Sequence, residues 1–252
     1  MNIFDRAREK EKSYHEKLYE EAVLFEPGSW LAKPVQTVLD FLDLLPFQDL
    51  RVLDLGCGVG RNSLPVAQRI QSANGQVICV DLLPSAIDKL VQYAALYGVS
   101  SSIEALAADV EHYEIAEATY HYIIACSCLE HLSSEEAFVC KVKQMQAGTV
   151  DQGIHCIMMS TEVKEIDRKT GLEEEGLIEL NLSTERAFSI LDELYSEWEI
   201  LTRRQVQQDI QEVKEGRDVL FRSQWMTFTA RKGGIDHGET YASRRLWNTG
   251  SA

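Results

Sequence analysis

The sequence predicts an α/β fold built on a doubly wound, mostly parallel β-sheet. Two observations support this prediction: strand-like apolar runs alternate with helix-like runs from Arg51 onward, and the first of these strands ends in a glycine-rich turn. Such alternation indicates a sheet that helices cover on both faces. The chain has 252 residues, which suits one domain of this kind and is too short for two full domains.

The first part of the chain is predicted to be helical. Residues 5–25 place apolar side chains along one stripe, and Pro27-Gly28 ends this helix. A second helix is predicted to begin near Lys33. Tyr19 and Trp30 are interpreted as aromatic residues of the core or of helix packing and not as a lid over a ligand.

The alternating elements are predicted in the order of the chain. Strands are expected near 51–56, 76–81, 103–109, 121–127 and 154–160, and helices near 62–72, 84–97 and 134–147. Residues 161–181 are acidic and interrupted by glycine, which is typical of a lid or an exposed loop. A helix near 184–196 and two strand-like runs near 198–206 and 218–231 complete the pattern.

Domain boundaries follow from these elements. Residues 1–50 are expected to form a helical segment that packs on a core domain of residues 51–233. Residues 234–252 show no periodic pattern, and they are expected to be a disordered or vector-derived tail.

The most informative segment runs from Val52 to Asn62. It reads Val-Leu-Asp-Leu-Gly-Cys-Gly-Val-Gly-Arg-Asn, with glycines at alternate positions. Glycine allows the backbone to turn tightly against a ligand, and free N–H groups at the start of the next helix favour a polar or anionic group. Taken alone, the pattern is more often a βα turn that uses glycine only for its geometry.

The next strand strengthens the interpretation as a nucleotide site. It ends in Asp81, about 20 residues beyond the last glycine, where a nucleotide-binding βαβ unit places an acid for the ribose hydroxyls. A dinucleotide fingerprint also needs Gly or Ala three residues after the second glycine, but Arg61 stands there. NAD is therefore the less favoured cofactor.

Four motifs in this order resemble those of the class I S-adenosylmethionine-dependent methyltransferases, which have a Rossmann-like core. They are Asp54–Gly60, Val80-Asp81-Leu82, Ala108-Asp109-Val110, and Tyr122–Ser127 continuing into Cys128-Leu129-Glu130-His131-Leu132. The resemblance covers residues 52–132. It implies about seven strands with an antiparallel closing strand, and it implies S-adenosylmethionine as cofactor with S-adenosylhomocysteine as product.

The resemblance also implies roles for individual residues. Asp81 would hold the ribose hydroxyls, Asp109 would accept from the adenine amine, and Ser127 would lie near the methionine moiety. The glycine turn would approach the methionine end, with Asp54 supporting it or reaching the amino group. The full set of predicted cofactor-binding residues is Asp54, Gly56, Cys57, Gly58, Gly60, Asn62, Asp81, Leu82, Asp109, Val110 and Ser127.

A closer resemblance is to the tellurite-resistance (TehB-like) branch of this family. It is carried by Gly60-Arg61-Asn62-Ser63-Leu64 and by the two runs Trp198-Glu199-Ile200 and Phe228-Thr229-Ala230-Arg231-Lys232. One departure is Tyr120-His121 at the start of the fourth strand, where the family has an aromatic residue followed by Asp. We expect this change to affect the hydrogen bonds at the start of the fourth strand.

Composition and charge narrow the partners. The net charge of −15 disfavours a nucleic acid or an acidic membrane surface as partner. No apolar run approaches the roughly 20 residues that span a bilayer, and the start of the chain has no signal-peptide pattern. The six cysteines form no CxxC pair. We therefore expect a cytoplasmic protein with a small-molecule substrate, and the sequence indicates no oligomeric state.

No catalytic residue and no metal site are predicted. His131 is interpreted as a structural residue of its loop and not as a general base. Cys57, Cys126 and Cys128 are more simply small buried residues than catalytic thiols.

The predicted function is methyl transfer from S-adenosylmethionine to a small molecule. The TehB-like resemblance points to a chalcogen oxyanion or a thiol-like acceptor, whose intrinsic reactivity needs no strong general base. Arg61 and Arg222 are the candidate cations for an anionic acceptor. A non-catalytic S-adenosylmethionine-binding protein is the first alternative, and an NAD-dependent oxidoreductase is the less favoured one.

Overall fold

The computed structural model describes residues 3–176, 178–214 and 217–233. Its α-helices are α1 (Ile3–Glu21), α2 (Gln36–Leu42), α3 (Ser63–Ile70), α4 (Pro84–Leu96), α5 (Glu135–Gly148) and α6 (Thr184–Leu194). Its strands are β1 (Arg51–Leu55), β2 (Gln76–Asp81), β3 (Ile103–Ala107), β4 (Tyr120–Cys126), β5 (Thr149–Asp167), β6 (Glu173–Glu175), β7 (Glu199–Lys214) and β8 (Arg217–Arg231).

The strands form one sheet in the order β3-β2-β1-β4-β5-β8-β7. Strands β1 to β5 pair in parallel, whereas β8 runs antiparallel to both β5 and β7. The short strand β6 pairs with β5 outside this path. The predicted α/β fold, with about seven strands and an antiparallel closing strand, is confirmed.

The central strands are apolar on both sides because helices cover both faces of the sheet. Alternate side chains of β1 illustrate this, since Val52 and Leu53 are both fully buried but belong to different core clusters. The cluster around Val52 includes residues of α2, α3 and α4, and the cluster around Leu53 includes residues of α5 and α6. Continuous apolar strands of this kind are typical of parallel sheets.

The N-terminal helices share the first of these clusters. Tyr19, Leu31 and Val38 are buried in it together with strand residues. Two hydrogen bonds fix the segment: the Tyr122 hydroxyl donates to the Val38 carbonyl (2.9 Å), and the Val35 N–H donates to Asn62 Oδ1 (3.0 Å). The division into a segment of residues 1–50 and a core of residues 51–233 stays a prediction.

Two strands are much longer than predicted. β5 extends the expected 154–160 at both ends, and β7 extends the expected 198–206 by eight residues at its C-terminal end. The outer part of β7 is mostly polar, and its two apolar residues, Ile210 and Val213, are three positions apart, so no period-2 pattern identifies it. It is a strand because its backbone pairs with β8 along its whole length.

The expected lid of residues 161–181 is also different. Its first residues continue β5, and β6 folds back to pair with that strand. Of the described residues, no helix combines the length and apolarity needed to cross a membrane. The predicted tail of residues 234–252 lies outside the described part of the chain.

Candidate cofactor and acceptor site

A cavity of about 1110 Å³ lies where β1, β2 and β4 end. The carboxyl ends of parallel strands are the usual place for a ligand in this type of sheet. Its size suits a nucleotide-sized molecule together with a small second one. Nine of the eleven predicted cofactor-binding residues line it: Gly56, Cys57, Gly58, Asn62, Asp81, Leu82, Asp109, Val110 and Ser127.

The turn after β1 depends on its glycines. Gly56, Gly58 and Gly60 have φ values of 69°, 53° and 94°, which side chains rarely adopt. A Cβ at Gly56 would lie 2.4 Å from the Cβ of Cys128, and one at Gly60 would lie 2.4 Å from a methyl of Leu90. Neighbouring side chains therefore pack against the turn at Gly56 and Gly60 and leave no space for a side chain there.

Two predicted residues do not line the cavity. Asp54 is buried beneath the turn and accepts a hydrogen bond from the Ser63 hydroxyl (2.5 Å). Burial raises the pKa of Asp54 to about 7, although the bond from Ser63 lowers it. Gly60 packs against α3 and α4. The structure thus places both residues under the turn, which for Asp54 is the supporting position that the resemblance implies as one of its two roles.

Asp81 connects the turn to the end of β2. Its two carboxylate oxygens accept hydrogen bonds from the backbone N–H of Gly58 (2.8 Å) and of Leu83 (2.9 Å). Burial raises the pKa of Asp81, while these two bonds lower it. A carboxylate has about four lone-pair directions, so two remain for hydroxyl donors from a ligand.

Asp109 holds the N-terminal helix over the cavity. Its Oδ2 lies 2.5 Å from Nη2 of Arg8 on α1, and its Oδ1 accepts from the Glu111 N–H (3.0 Å). Val110 beside it is 8% exposed and offers an apolar surface. α1 is therefore a wall of the site, which the periodicity of α1 alone did not reveal.

Ser127 has an unusual backbone. Its φ is 54°, although it is not glycine, and its N–H donates to the Met158 carbonyl (2.9 Å). A strained residue of this kind is often found at functional sites. Among the nearby cysteines, burial raises the pKa of Cys126 to about 11 and that of Cys128 well above its ordinary value. Protonated thiols agree with the prediction that these cysteines are not nucleophiles.

Two aromatic residues take positions that the sequence did not predict. Tyr19 is buried in the core, as expected, but it also lines the cavity, and its hydroxyl would lie 2.7 Å from a Cβ at Gly58. Trp30 is 41% exposed and lines the cavity, and its ring packs edge-on against His15 of α1, so of the two interpretations helix packing describes it and core burial does not.

The two candidate arginines differ in position. Arg61 lines the cavity, stacks over the Trp30 ring at 4.7 Å and donates to the Trp30 carbonyl (2.8 Å). Within the described residues it has no ion-pair partner. Arg222 is instead paired with Asp209 on the β7–β8 hairpin (2.8 and 2.9 Å). Of the two, Arg61 lines the cavity and Arg222 does not.

A titratable cluster lies on the same wall. His131 Nδ1 is 2.8 Å from Oε2 of Glu179, and Glu130 and His15 line the cavity beside them. Burial lowers the pKa of His131, but the bond to Glu179 and the charge of Glu130 outweigh it and raise the pKa to about 9. His131 is therefore cationic at neutral pH, as a structural residue and not a general base would be.

The departure at His121 has a local explanation. Its Nδ1 accepts a hydrogen bond from the backbone N–H of Arg51 (3.1 Å) at the start of β1. Burial lowers the pKa of His121, which favours the neutral ring that can accept this bond. The imidazole thus provides an acceptor at the entry of the strand, 70 positions from its donor.

Comparisons with known proteins agree with this geometry. Residues 52–147 match the family model described as a methyltransferase domain. The carboxy-S-adenosyl-L-methionine synthase of Erwinia tasmaniensis is 24% identical over 65% of this chain and 61% of its own length. The 23S rRNA (uracil(1939)-C(5))-methyltransferase RlmD of Klebsiella pneumoniae is 42% identical over 27% of this chain and 14% of its own length.

A solved structure supports the fold. The crystal structure of TehB from Haemophilus influenzae superposes with a TM-score of 0.60 and 22% identity, covering 79% of this chain and 62% of TehB. The chain spans less than two thirds of the length of each of these three proteins. The predicted resemblance to the class I S-adenosylmethionine-dependent methyltransferases, its cofactor and the TehB-like fold are confirmed, and the family match itself extends over residues 52–147.

Proposed function

We propose that the protein holds S-adenosylmethionine along the Gly56–Gly60 turn and transfers its methyl group to a small molecule. The observation that carries this proposal is that the turn, Asp81 and Asp109 line one cavity with space for a second molecule. The nine lining residues would contact the cofactor, and Asp54 and Gly60 would support the turn from below. The Gly58 N–H and Asp81 are already joined, so the ribose would meet a preformed site.

The cofactor supplies an activated methyl group on a sulfonium that is its own leaving group. The protein therefore needs mainly to position the acceptor and to exclude water. α1 does the second, because Tyr19 and Arg8 close the cavity over the glycine turn and over Asp109.

The acceptor we propose is a chalcogen oxyanion or a thiol-like nucleophile that carries negative charge. Arg61 supports this choice, because its guanidinium is held by Trp30 and has no carboxylate partner within the described residues. A guanidinium fixed in this way can bind an oxyanion or a carboxylate through two parallel hydrogen bonds.

The carboxy-S-adenosyl-L-methionine synthase relative suggests a second candidate. The same arginine could hold a carboxylate while a carboxy derivative of the cofactor is made. An RNA acceptor is less favoured by the net charge of −15. We also propose a cytoplasmic location, since all six cysteines are free thiols.

The test offers purified protein methyl-labelled S-adenosylmethionine with selenite or tellurite under reducing conditions, small thiols, and total cellular RNA and protein. Label in a small molecule supports the proposal, and label only in RNA or protein overturns it. Carboxy-S-adenosylmethionine as the product would establish the second candidate. Binding of S-adenosylhomocysteine without any product would identify a non-catalytic binder.

Arg61→Gln gives the acceptor half of the proposal its own test. We expect the KM for the acceptor to rise about tenfold or more, as loss of a charge-assisted contact predicts. The affinity for S-adenosylhomocysteine should change little. Arg222→Gln is the matched control, because that arginine is paired on the hairpin and should leave both quantities unchanged.

A further inference from the structure

Glu130 is a buried carboxylate whose hydrogen bonding is incomplete. The residue lines the cavity and is 2% exposed. Oε1 accepts a hydrogen bond from the Ser160 N–H (3.0 Å), but Oε2 is buried with no partner in the part of the chain that the structure describes. An unsatisfied buried polar group costs about 1–3 kcal/mol and more for a charge, so this atom calls for a donor from outside the protein.

The backbone around Glu130 is well fixed. Glu130 lies in a 3-10 turn, Leu129–His131, directly after β4. Its own carbonyl accepts from the Leu180 N–H (2.9 Å). The unsatisfied oxygen is thus not the consequence of a loose loop, because backbone and side chain are both held by neighbouring elements.

The other titratable groups of this wall are less suited to take a proton. His131 is bound to Glu179 and has its pKa raised to about 9, so it already carries a proton at neutral pH. His15 has an unpartnered Nδ1, but burial and the charge of His131 lower its pKa to about 4. Burial raises the pKa of Glu130, which moves this carboxylate towards the range where bases act near neutrality.

Glu130 and Arg61 act on the same part of the cavity. Both influence the thiol of Cys126 at the end of β4: Nη2 of Arg61 lies 3.8 Å from its sulfur, and the charge of Glu130 raises its pKa. Both residues line the same cavity, which therefore offers a cation with donors and an unsatisfied acceptor.

We propose that Glu130 binds the hydrogen carried by the nucleophilic atom of the acceptor and removes it during transfer. This inference rests on the proposed function. It narrows the substrate to small acids with an anionic group for Arg61 and an N–H, O–H, S–H or Se–H nucleophile for Glu130. Acceptors whose nucleophilic atom has no hydrogen would be excluded. These are thioethers and also chalcogen oxyanions that are methylated at a bare selenium or tellurium atom, so the thiol-like class is the part of the proposed function that this inference retains.

The step balances without a further reactant. The acceptor atom forms a bond to the methyl carbon while the carbon–sulfur bond breaks and its electron pair stays on the sulfur. The proton of the acceptor passes to Oε2 of Glu130, and it leaves to water after the product departs. The acceptor thus gains CH2 overall and no charge.

The experiment first identifies the product. Protein and methyl-labelled S-adenosylmethionine are incubated with the small-molecule fraction of a cell extract, and labelled products are analysed by mass spectrometry. A product that has gained CH2 without a change in charge supports the inference. A product that has gained CH3 and a positive charge overturns it.

The same acceptor is then used with Glu130→Gln, which keeps Oε1 for the Ser160 N–H. We expect kcat to fall about 100-fold or more, as removal of a general base predicts. Affinity for S-adenosylhomocysteine should stay within about threefold, a difference of less than about 0.7 kcal/mol. Glu162→Gln is the matched control, because this β5 carboxylate caps the Thr184 N–H (3.1 Å) away from the cavity.

The outcomes separate the inference from the proposed function. If the wild type binds S-adenosylhomocysteine but labels no molecule, the proposed transfer fails and this inference fails with it. If the wild type labels an acceptor and Glu130→Gln transfers within about threefold of its rate, only the role of Glu130 is refuted. If His15→Asn loses much of its kcat while Glu130→Gln stays active, His15 is the group that accepts the proton, and the proposed role of Glu130 is refuted.

Discussion

Nη2 of Arg8 lies 2.5 Å from Oδ2 of Asp109, although the two residues are 101 positions apart. The pair joins α1 to the loop after β3, at the end of the cavity where the family resemblance places the adenine. We therefore propose that the Asp109 carboxylate both holds α1 over the cavity and binds the cofactor. Oδ1 accepts from the Glu111 N–H and Oδ2 from Arg8, so each oxygen keeps one lone-pair direction for a further donor, and closure of α1 and cofactor binding can coexist.

Arg8→Ala should loosen this closure without unfolding the protein. The side chains of the pair are 20% and 24% exposed, and ion pairs near the surface contribute about 0.2–1 kcal/mol. We expect the dissociation rate of S-adenosylhomocysteine to rise several-fold in stopped-flow fluorescence, with a stability loss of no more than about 1 kcal/mol. Arg203→Ala, which removes an ion pair with Asp192 distant from the cavity, is the control. An unchanged dissociation rate in Arg8→Ala would contradict the role of α1 as a lid.

Gly58→Ala should abolish cofactor binding for two separable reasons. The φ of 53° costs a side chain about 1–2 kcal/mol, and the new Cβ would lie 2.7 Å from the Tyr19 hydroxyl. Gly98→Ala is a matched control for strain alone, because its φ is 69° and nothing lies within 4 Å of the added Cβ. We expect calorimetry to detect no binding to Gly58→Ala and normal binding to Gly98→Ala. Partial recovery in Gly58→Ala combined with Tyr19→Phe would identify the steric part.

Asp81→Ala should weaken binding of S-adenosylhomocysteine about 10- to 150-fold, because charge-assisted hydrogen bonds to the ribose are worth about 1.5–3 kcal/mol. The change also leaves the N–H groups of Gly58 and Leu83 without their acceptor. Calorimetry should therefore be accompanied by a melting curve. Unchanged affinity in a folded variant would remove Asp81 from the site.

The positions of the glycine turn, Asp81 and Asp109 near the cavity could be predicted from the sequence because they follow from the strand order. Asp81 ends a buried strand next to β1, so its place at the cavity is set by a local pattern and by parallel pairing. Arg8 and Glu130 could not be assigned in this way. The stripe of α1 shows which face is buried but not where the helix docks, and the missing partner of Glu130 Oε2 is visible only in three dimensions. For β7, the outer residues are mostly polar and pair with β8 through the backbone ladder and through ion pairs such as Asp209–Arg222, which leaves no alternating apolar pattern in the sequence.

His131 should make the protein less stable as the pH rises. The pKa of His131 is about 9 in the folded protein, against an ordinary value of 6.5. Its contribution to the stability of the folded state is therefore complete below pH 6.5 and is lost as the pH rises towards 9. We expect the free energy of unfolding in urea to fall over this range. In Glu179→Gln, which removes the main source of the raised pKa, the fall should be smaller. An equal fall in both proteins would assign it to other groups.

Unlike His131, His155 should make the protein less stable as the pH falls. The ring is fully buried between the Tyr195 hydroxyl (2.6 Å from Nδ1) and the Thr149 hydroxyl (2.5 Å from Nε2). Thr149 donates to the Met145 carbonyl, so it accepts from Nε2–H, and Nδ1 must be unprotonated to accept from Tyr195. Burial, with a smaller effect from Lys232, accordingly lowers the pKa of His155 to about 3.

The unfolded chain takes up this proton near pH 6.5, whereas the folded chain takes it up only near pH 3. The contribution of His155 to the free energy of unfolding is therefore present above pH 6.5 and is lost as the pH falls towards 3. One such group gives a slope of up to about 1.4 kcal/mol per pH unit. Urea unfolding from pH 7 to pH 4 should show this slope in the wild type and a shallower one in His155→Asn. The exposed His112→Asn should leave the slope unchanged. If His155→Asn retains the full slope, the acid sensitivity comes from another buried group, of which His15, with its pKa of about 4, is the next to substitute.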